Sequence, residues 1–262
     1  LGNTVFRSVV LSLALSCVTG LSALAAGQAP SPVPSRVVAS PSVIAPSREA
    51  VRAPTLVPGI EHVVDAAIGN HFFIVALQDG SVMTWGYNNA GQLGNGHVGA
   101  TSGSEPGKTM AFVVQAKAEA IDAFADVVAV AAGAEHGLAL RRDGSVMGWG
   151  SNGSGQLALG KSNRGANPTP VAIPGVTRAT AIAAYGNASF ALLDDGTVVG
   201  WGESLWRSGA RAVSSETPIA VPGIAGATAI RAGLPSLALL RDGTVMAWGT
   251  GVLGDGSGCH AA

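Results

Sequence analysis

The sequence predicts an all-β fold, a β-propeller with about four blades present as a partial or truncated ring. Three observations predict it. An Asp-Gly hairpin is written four times, at Asp79, Asp143, Asp195 and Asp242, and each closes on a Trp-Gly pair six residues later, at Trp85, Trp149, Trp201 and Trp248. An apolar run ending in small residues precedes each hairpin, as in Val63-Val64-Asp65-Ala66-Ala67-Ile68-Gly69. A Pro-marked run precedes that one in three copies, beginning at Pro54, Thr169 and Thr217. The copies are 64, 52 and 47 residues apart, close to the period of a propeller blade. Each unit supplies about four short strands, the content of one blade.

The front of the chain reads differently. Residues 1–26 have the form of a secretory signal: Arg7, a mostly apolar stretch, then Ala23-Leu24-Ala25-Ala26 as a small-x-small cleavage pattern. An uncleaved N-terminal anchor or lipidation at Cys17 are the alternatives. Residues 27–53 are rich in Ala, Pro and Ser and read as an extended linker. The propeller is assigned to 54–262. With Cys17 leaving in the signal, Cys259 has no partner, so the expected fold has no intrachain disulfide.

Within each unit the elements follow from composition. Asp-Gly between apolar runs predicts a two-residue type I′ turn. The arms, such as Phe73–Leu77 and Ser81–Trp85, are rich in β-branched and aromatic residues. They are apolar on both faces, as expected of sheets packed between neighbouring sheets. The apolar residue five before each Asp (Ile74, Leu138, Phe190, Leu237) and the four tryptophans are expected in the inter-blade core. Proline confines its run to a sheet edge.

The second copy, Val130-Ala131-Ala132-Gly133-Ala134-Glu135-His136-Gly137-Leu138 with Asp143-Gly144 and Trp149-Gly150-Ser151-Asn152-Gly153-Ser154-Gly155-Gln156-Leu157, resembles the regulator of chromosome condensation (RCC1) repeat. Trp85-Gly86-Tyr87-Asn88-Asn89-Ala90-Gly91-Gln92-Leu93-Gly94 matches in the first copy. The resemblance covers about residues 54–258 and implies a propeller of four-stranded blades, usually seven. Four repeats are fewer, so the expectation is a truncated ring, a small closed one, or a ring completed by missing repeats or a second chain. The Asn-x-x-Gly-Gln-Leu loop is lost in copies three and four. The family histidine is in register only at His136, with Phe72, Ala188 and Ser236 at the equivalent places.

Charged residues make up 12 % of the chain and the net charge is −1, which excludes the basic excess of a general nucleic-acid surface. No catalytic, cofactor or metal site emerges. The turn aspartates are each followed by Gly and read as turn formers. His62, His71, His97, His136 and His260 follow no ligand spacing. His136 reads as a structural hydrogen-bonder. Gly91-Gln92-Leu93-Gly94-Asn95-Gly96 lacks the Lys-Ser/Thr and the helix of a phosphate loop. Asn152 and Asn187 head glycosylation triplets.

An unknown protein partner is the better expectation, because propeller loops from many blades share a face. The candidate contact residues are Trp206, Arg207 and Arg211, of types enriched at binding hot spots, and Tyr87, Asn88 and Asn89. Residues 99–118 are the expected insertion. The leading functional reading is a non-catalytic exported binding or scaffold module. The alternatives are a secreted enzyme inhibitor, as a resemblance to a beta-lactamase-inhibiting propeller implies, a guanine-nucleotide exchange factor, and an enzyme using the central funnel.

Overall fold

The structure, a computed structural model, describes residues 56–99, 114–208, 211–250 and 253–254. The assigned signal and linker lie outside these, as do Cys17, Cys259, His260 and most of the 99–118 insertion. Contacts divide the chain into residues 1–58 and 59–262. All the strands among the described residues fall in the second unit.

Four antiparallel sheets follow one another along the chain. Blade 1 is β1 (Val63–Ile68), β2 (Phe72–Leu77), β3 (Val82–Tyr87) and β4 (Val114–Ala120). Blade 2 is β5 (Val127–Ala132), β6 (His136–Arg141), β7 (Val146–Ser151) and β8 (Ala166–Ala172). Blade 3 is β9 (Ala179–Tyr185), β10 (Ala188–Leu193), β11 (Val198–Ser208) and β12 (Arg211–Ala220). Blade 4 has three strands among the described residues: β13 (Ala227–Arg231), β14 (Ser236–Leu240) and β15 (Val245–Trp248). The first strands of successive blades lie side by side, β1 by β5, β5 by β9 and β9 by β13. They form the inner wall, and the Pro-bearing β8 and β12 form outer edges, where a missing N–H costs no ladder bond.

The hairpin is not the type I′ turn that the sequence predicts. Asp79 and its counterparts keep negative φ, while the following glycines lie between 82° and 86°. The glycine N–H donates to the carbonyl three residues back (Leu77, Arg141, Leu193, Leu240), at 3.0 Å in every copy. The result is a three-residue loop, a type I turn closed by a left-handed glycine. The aspartate decides it. Its Oδ1 accepts the N–H of Ser81, Ser145, Thr197 or Thr244 at 2.8–3.0 Å.

The blades stack as expected, through three core clusters that each join two blades. Each Trp seats on the preceding blade. Trp149 donates through Nε1 to the Gln92 carbonyl at 2.9 Å, and Trp201 to the Gln156 carbonyl at 2.8 Å. Trp248 meets Phe190 edge-on, with ring centres 5.6 Å apart. Trp85 is the exception: it is only half-buried, stacked on Phe73 of its own blade. Leu237 departs too. Ile74, Leu138 and Phe190 are buried under the next blade, whereas Leu237 is 41 % exposed. Strand register also corrects the histidine comparison. Ser236 pairs with Trp248, as Gly137 pairs with Trp149, so Pro235 and not Ser236 holds the place of His136.

Candidate partner-binding rim

The turns joining first to second strands and the loops joining third to fourth strands emerge at the same end of every blade, opposite the Asp-Gly turns. This rim holds all the sequence-derived contact candidates, on blades 1 and 3.

On blade 1, Tyr87 ends β3 and its ring tilts against His71 at 4.9 Å. Asn89 is exposed. Asn88 is not a contact residue. It is 1 % exposed, its Oδ1 accepts the Leu93 N–H at 3.1 Å, and its Nδ2 donates to the His97 carbonyl at 3.1 Å. Asn152 does the same work on blade 2, accepting from Leu157 at 2.8 Å with no exposed surface. Its burial removes it as a glycosylation acceptor in the folded chain. These asparagines fold their loops inward so that Leu93 and Leu157 plug the blade joints. A cavity of roughly 290 Å³ opens beside Asn88, Asn95, His97, Gln115 and Glu119. Its amides bond one another, Asn88 to Asn95 and Asn95 to Gln115, each at 3.2 Å.

On blade 3 the lost loop is replaced by a ribbon. β11 and β12 are 11 and 10 residues long, against six or seven in the corresponding strands of blades 1 and 2. Trp206 pairs with Val213 on this ribbon and packs, half-buried, against the blade 3–4 core. Arg207 pairs with Ala212 along the backbone, and Arg211 is exposed at the ribbon's far end. Trp206 therefore anchors the ribbon as well as bordering its surface.

Sequence reasoning missed a polar cluster bridging blades 2 and 3. Glu203 Oε2 accepts from Ser154 Oγ at 2.8 Å and from Asn187 Nδ2 at 3.1 Å. These two donors, Ser154 first, hold its carboxyl below the usual range. Arg164 pairs with Glu216 on the same two blades. The only signal in the sequence was that Asn187 and Ser154 sit just after a strand and in a Gly-rich loop.

Beneath the rim, His136 is fully buried. Its Nε2 lies 2.8 Å from Ser189 Oγ, which donates to the Gln156 carbonyl at 2.9 Å. Burial pushes its pKa down to about 4, so the ring is neutral. Gly133 makes room for it: a Cβ there would fall 2.0 Å from the ring. The turn aspartates on the opposite end are fully exposed, and their carboxyls are lowered by local bonds. The hydroxyl of Ser81, Ser145 or Thr244 is the main cause for Asp79, Asp143 and Asp242, and the Thr197 N–H for Asp195. Each aspartate belongs to its own turn. No group of three His, Cys, Asp or Glu able to hold a metal occurs among the described residues.

Comparison with known proteins agrees with this geometry. Models of the regulator of chromosome condensation (RCC1) repeat match residues 63–92 and 127–156 and, in a second form, 79–140 and 143–192. The chain is 34 % identical over 138 residues to the probable E3 ubiquitin-protein ligase HERC6 of Homo sapiens, covering 52 % of this chain and 12 % of the relative. It is 30 % identical over 137 residues to the RCC1 domain-containing protein RUG3, mitochondrial, of Arabidopsis thaliana, covering 52 % and 29 %. It thus spans less than a third of either relative. Among solved structures it is similar to human WBSCR16 (TM-score 0.60, 24 % identity, covering 73 % of this chain and 48 % of that one). It is also similar to yeast RCC1 (Prp20) in its complex with Kap60 (TM-score 0.57, 20 % identity, 74 % and 45 %). Matched repeats and blade topology together show that residues 63–192 carry RCC1 repeats folded as propeller blades.

Proposed function

We propose that the protein is a non-catalytic, exported RCC1-repeat module that binds a protein partner through its loop rim. The observation that carries this reading is the β11–β12 ribbon, which lengthens one blade just where the family loop is lost. It presents Arg211 at its tip, with Trp206 bracing it from behind. The adjoining Glu203–Ser154–Asn187 cluster and exposed Asn89 extend a polar surface across the rim. Yeast RCC1, a structural relative, is described in complex with Kap60, which supports a protein-binding role for the scaffold. Export rests on residues 1–26, and a secreted fraction of the expressed chain tests it.

The experiment for binding is capture of a partner by purified protein, comparing wild type with Arg211→Ala and Trp206→Ala. The expected result is a specific partner recovered by wild type and reduced by both variants. A partner retained equally by both moves the site off the ribbon.

A further inference from the structure

The outer strand of a blade is a sheet edge, and an edge offers unpaired N–H and C=O groups to any extended segment that meets it. The outer strands of blades 1 and 2 are guarded. β4 carries Lys117 in its middle, and β8 carries Pro168 and Pro170, residues that discourage pairing. β12 is likewise the edge of its sheet. From Arg211 to Thr217 it has neither lysine nor proline, and Pro218 enters only near its end.

The unguarded half of β12 lies on the ribbon. Ser208 pairs with Arg211, Arg207 with Ala212 and Trp206 with Val213. Only two residues separate Ser208 from Arg211 in the chain, so this closing pair exchanges its backbone bonds directly, and bonded and non-bonded pairs alternate from there. Arg211 and Val213 turn their backbone groups to β11. Ala212 and Ser214, both exposed, turn theirs outward.

The ribbon is also held at its root. Glu203 on β11 accepts from Ser154 and Asn187, and Glu216 on β12 pairs with Arg164, all three partners lying outside the ribbon. Glu216 packs on Gly155 of blade 2, where a Cβ would fall 2.9 Å from its side chain. Trp206 packs against the blade 3–4 core. An edge fixed in this way loses little freedom when a segment joins it.

Side chains indicate what that segment carries. Strand residues alternate faces, so Arg211 and Val213 share the face of Trp206, and Ala212 and Ser214 lie on the other. Arg211 is exposed and has no ion-pair partner among the described residues. An acidic residue on an added strand answers it. An apolar residue two positions away lies beside half-buried Val213, next to Trp206.

We infer that β12 takes an extended segment of a protein partner as a further strand, with an acidic residue against Arg211 and an apolar one against Val213. This rests on the reading of the ribbon as the binding element and names the form of what binds there. Main-chain bonds to Ala212 and Ser214 supply affinity, and the two side-chain contacts supply selectivity.

The test uses a blocked, fluorescently labelled peptide, Thr-Glu-Thr-Val-Thr-Glu-Thr, whose symmetry lets Val meet Val213 and a Glu meet Arg211 in either chain direction. It is titrated against the full-length protein by fluorescence anisotropy. The expected result is saturable binding to wild type, retained by Ala212→Val and weakened about tenfold by Ala212→Pro, which removes an outward N–H that serves no bond within the ribbon. Arg211→Glu, at an exposed position, reverses the preference toward a peptide with Lys in place of Glu, and it reads the contact independently of the proline variant. No saturable binding at millimolar peptide, or binding left unchanged by either Ala212→Pro or Arg211→Glu, overturns the proposal. Partner capture separates it from the reading it rests on. A partner lost with Arg211→Ala but kept by Ala212→Pro leaves the ribbon as the site and overturns strand addition, whereas a partner kept by both Arg211→Ala and Trp206→Ala overturns the ribbon reading itself.

Discussion

His136 shows how one side chain couples stability to pH. Burial holds its pKa at about 4 in the folded chain, against the ordinary value of 6.5. The unfolded chain therefore binds the extra proton between those two values. The stabilisation is complete above about 6.5 and declines as pH falls, with a full loss on the order of 3 kcal/mol. The expected outcome is a fall in urea midpoint from pH 7 to pH 4.5 in wild type, much reduced in His136→Phe. Phenylalanine is chosen because Phe72 fills the same place over Gly69 in blade 1. The tryptophans give a second contrast. Trp149 has an acceptor in Gln92, while Trp248 Nε1 is buried without a partner among the described residues. Blade 3 has lost the glutamine loop; Leu205 still plugs the joint, but Ser204, in the left-handed region at φ 55°, stands in the glutamine's place. Trp149→Phe is expected to cost about 1 kcal/mol more than Trp248→Phe, measured by denaturant unfolding, because only the first breaks a hydrogen bond.

At the scale of the element, the hairpin and its glycine set where one blade meets the next. Gly144 sits at φ 82°, and a Cβ there would lie 2.9 Å from Arg178 Cα; Gly243 has a similar φ of 86° and open space. Both alanine variants carry the backbone strain, and only Gly144→Ala adds a clash across a joint. Gly144→Ala is expected to lower the unfolding midpoint clearly more than Gly243→Ala. Hairpin positions and the outer Pro-bearing strands were legible in the sequence, since Asp-Gly and proline act through local backbone constraints. The turn type was not, because Asp-Gly serves a two-residue and a three-residue loop equally well, and the carboxylate's bond to Ser81 or its counterparts decides between them. Asn88 was misread for a related reason. Its bonds to Leu93 and His97 close a loop over five to nine residues, which an asparagine pair on a strand end does not announce. The β11–β12 ribbon depends on Trp206 meeting Val213, a pairing visible in the sequence only as the loss of a family loop.

For the whole molecule, blades cohere because each buries the oily face of its neighbour, a non-directional drive given direction by a Trp and a backbone bond at each joint. The repeat made this legible. That a partial ring leaves open flanks was legible as well; that Trp85 and Leu237 lie on them was not, because both look the same in sequence as their buried counterparts. Only stacking order separates them. The central claim is that the Trp of blades 2, 3 and 4 seats on the preceding blade, and a double-mutant cycle between Phe124 of the blade 1–2 linker and Trp149 of blade 2, whose rings lie 5.6 Å apart, tests it most directly. Stability of wild type, Phe124→Leu, Trp149→Leu and the double variant is measured by urea unfolding. The account predicts a coupling of about 0.5–1.5 kcal/mol. Strict additivity of the two changes would contradict it.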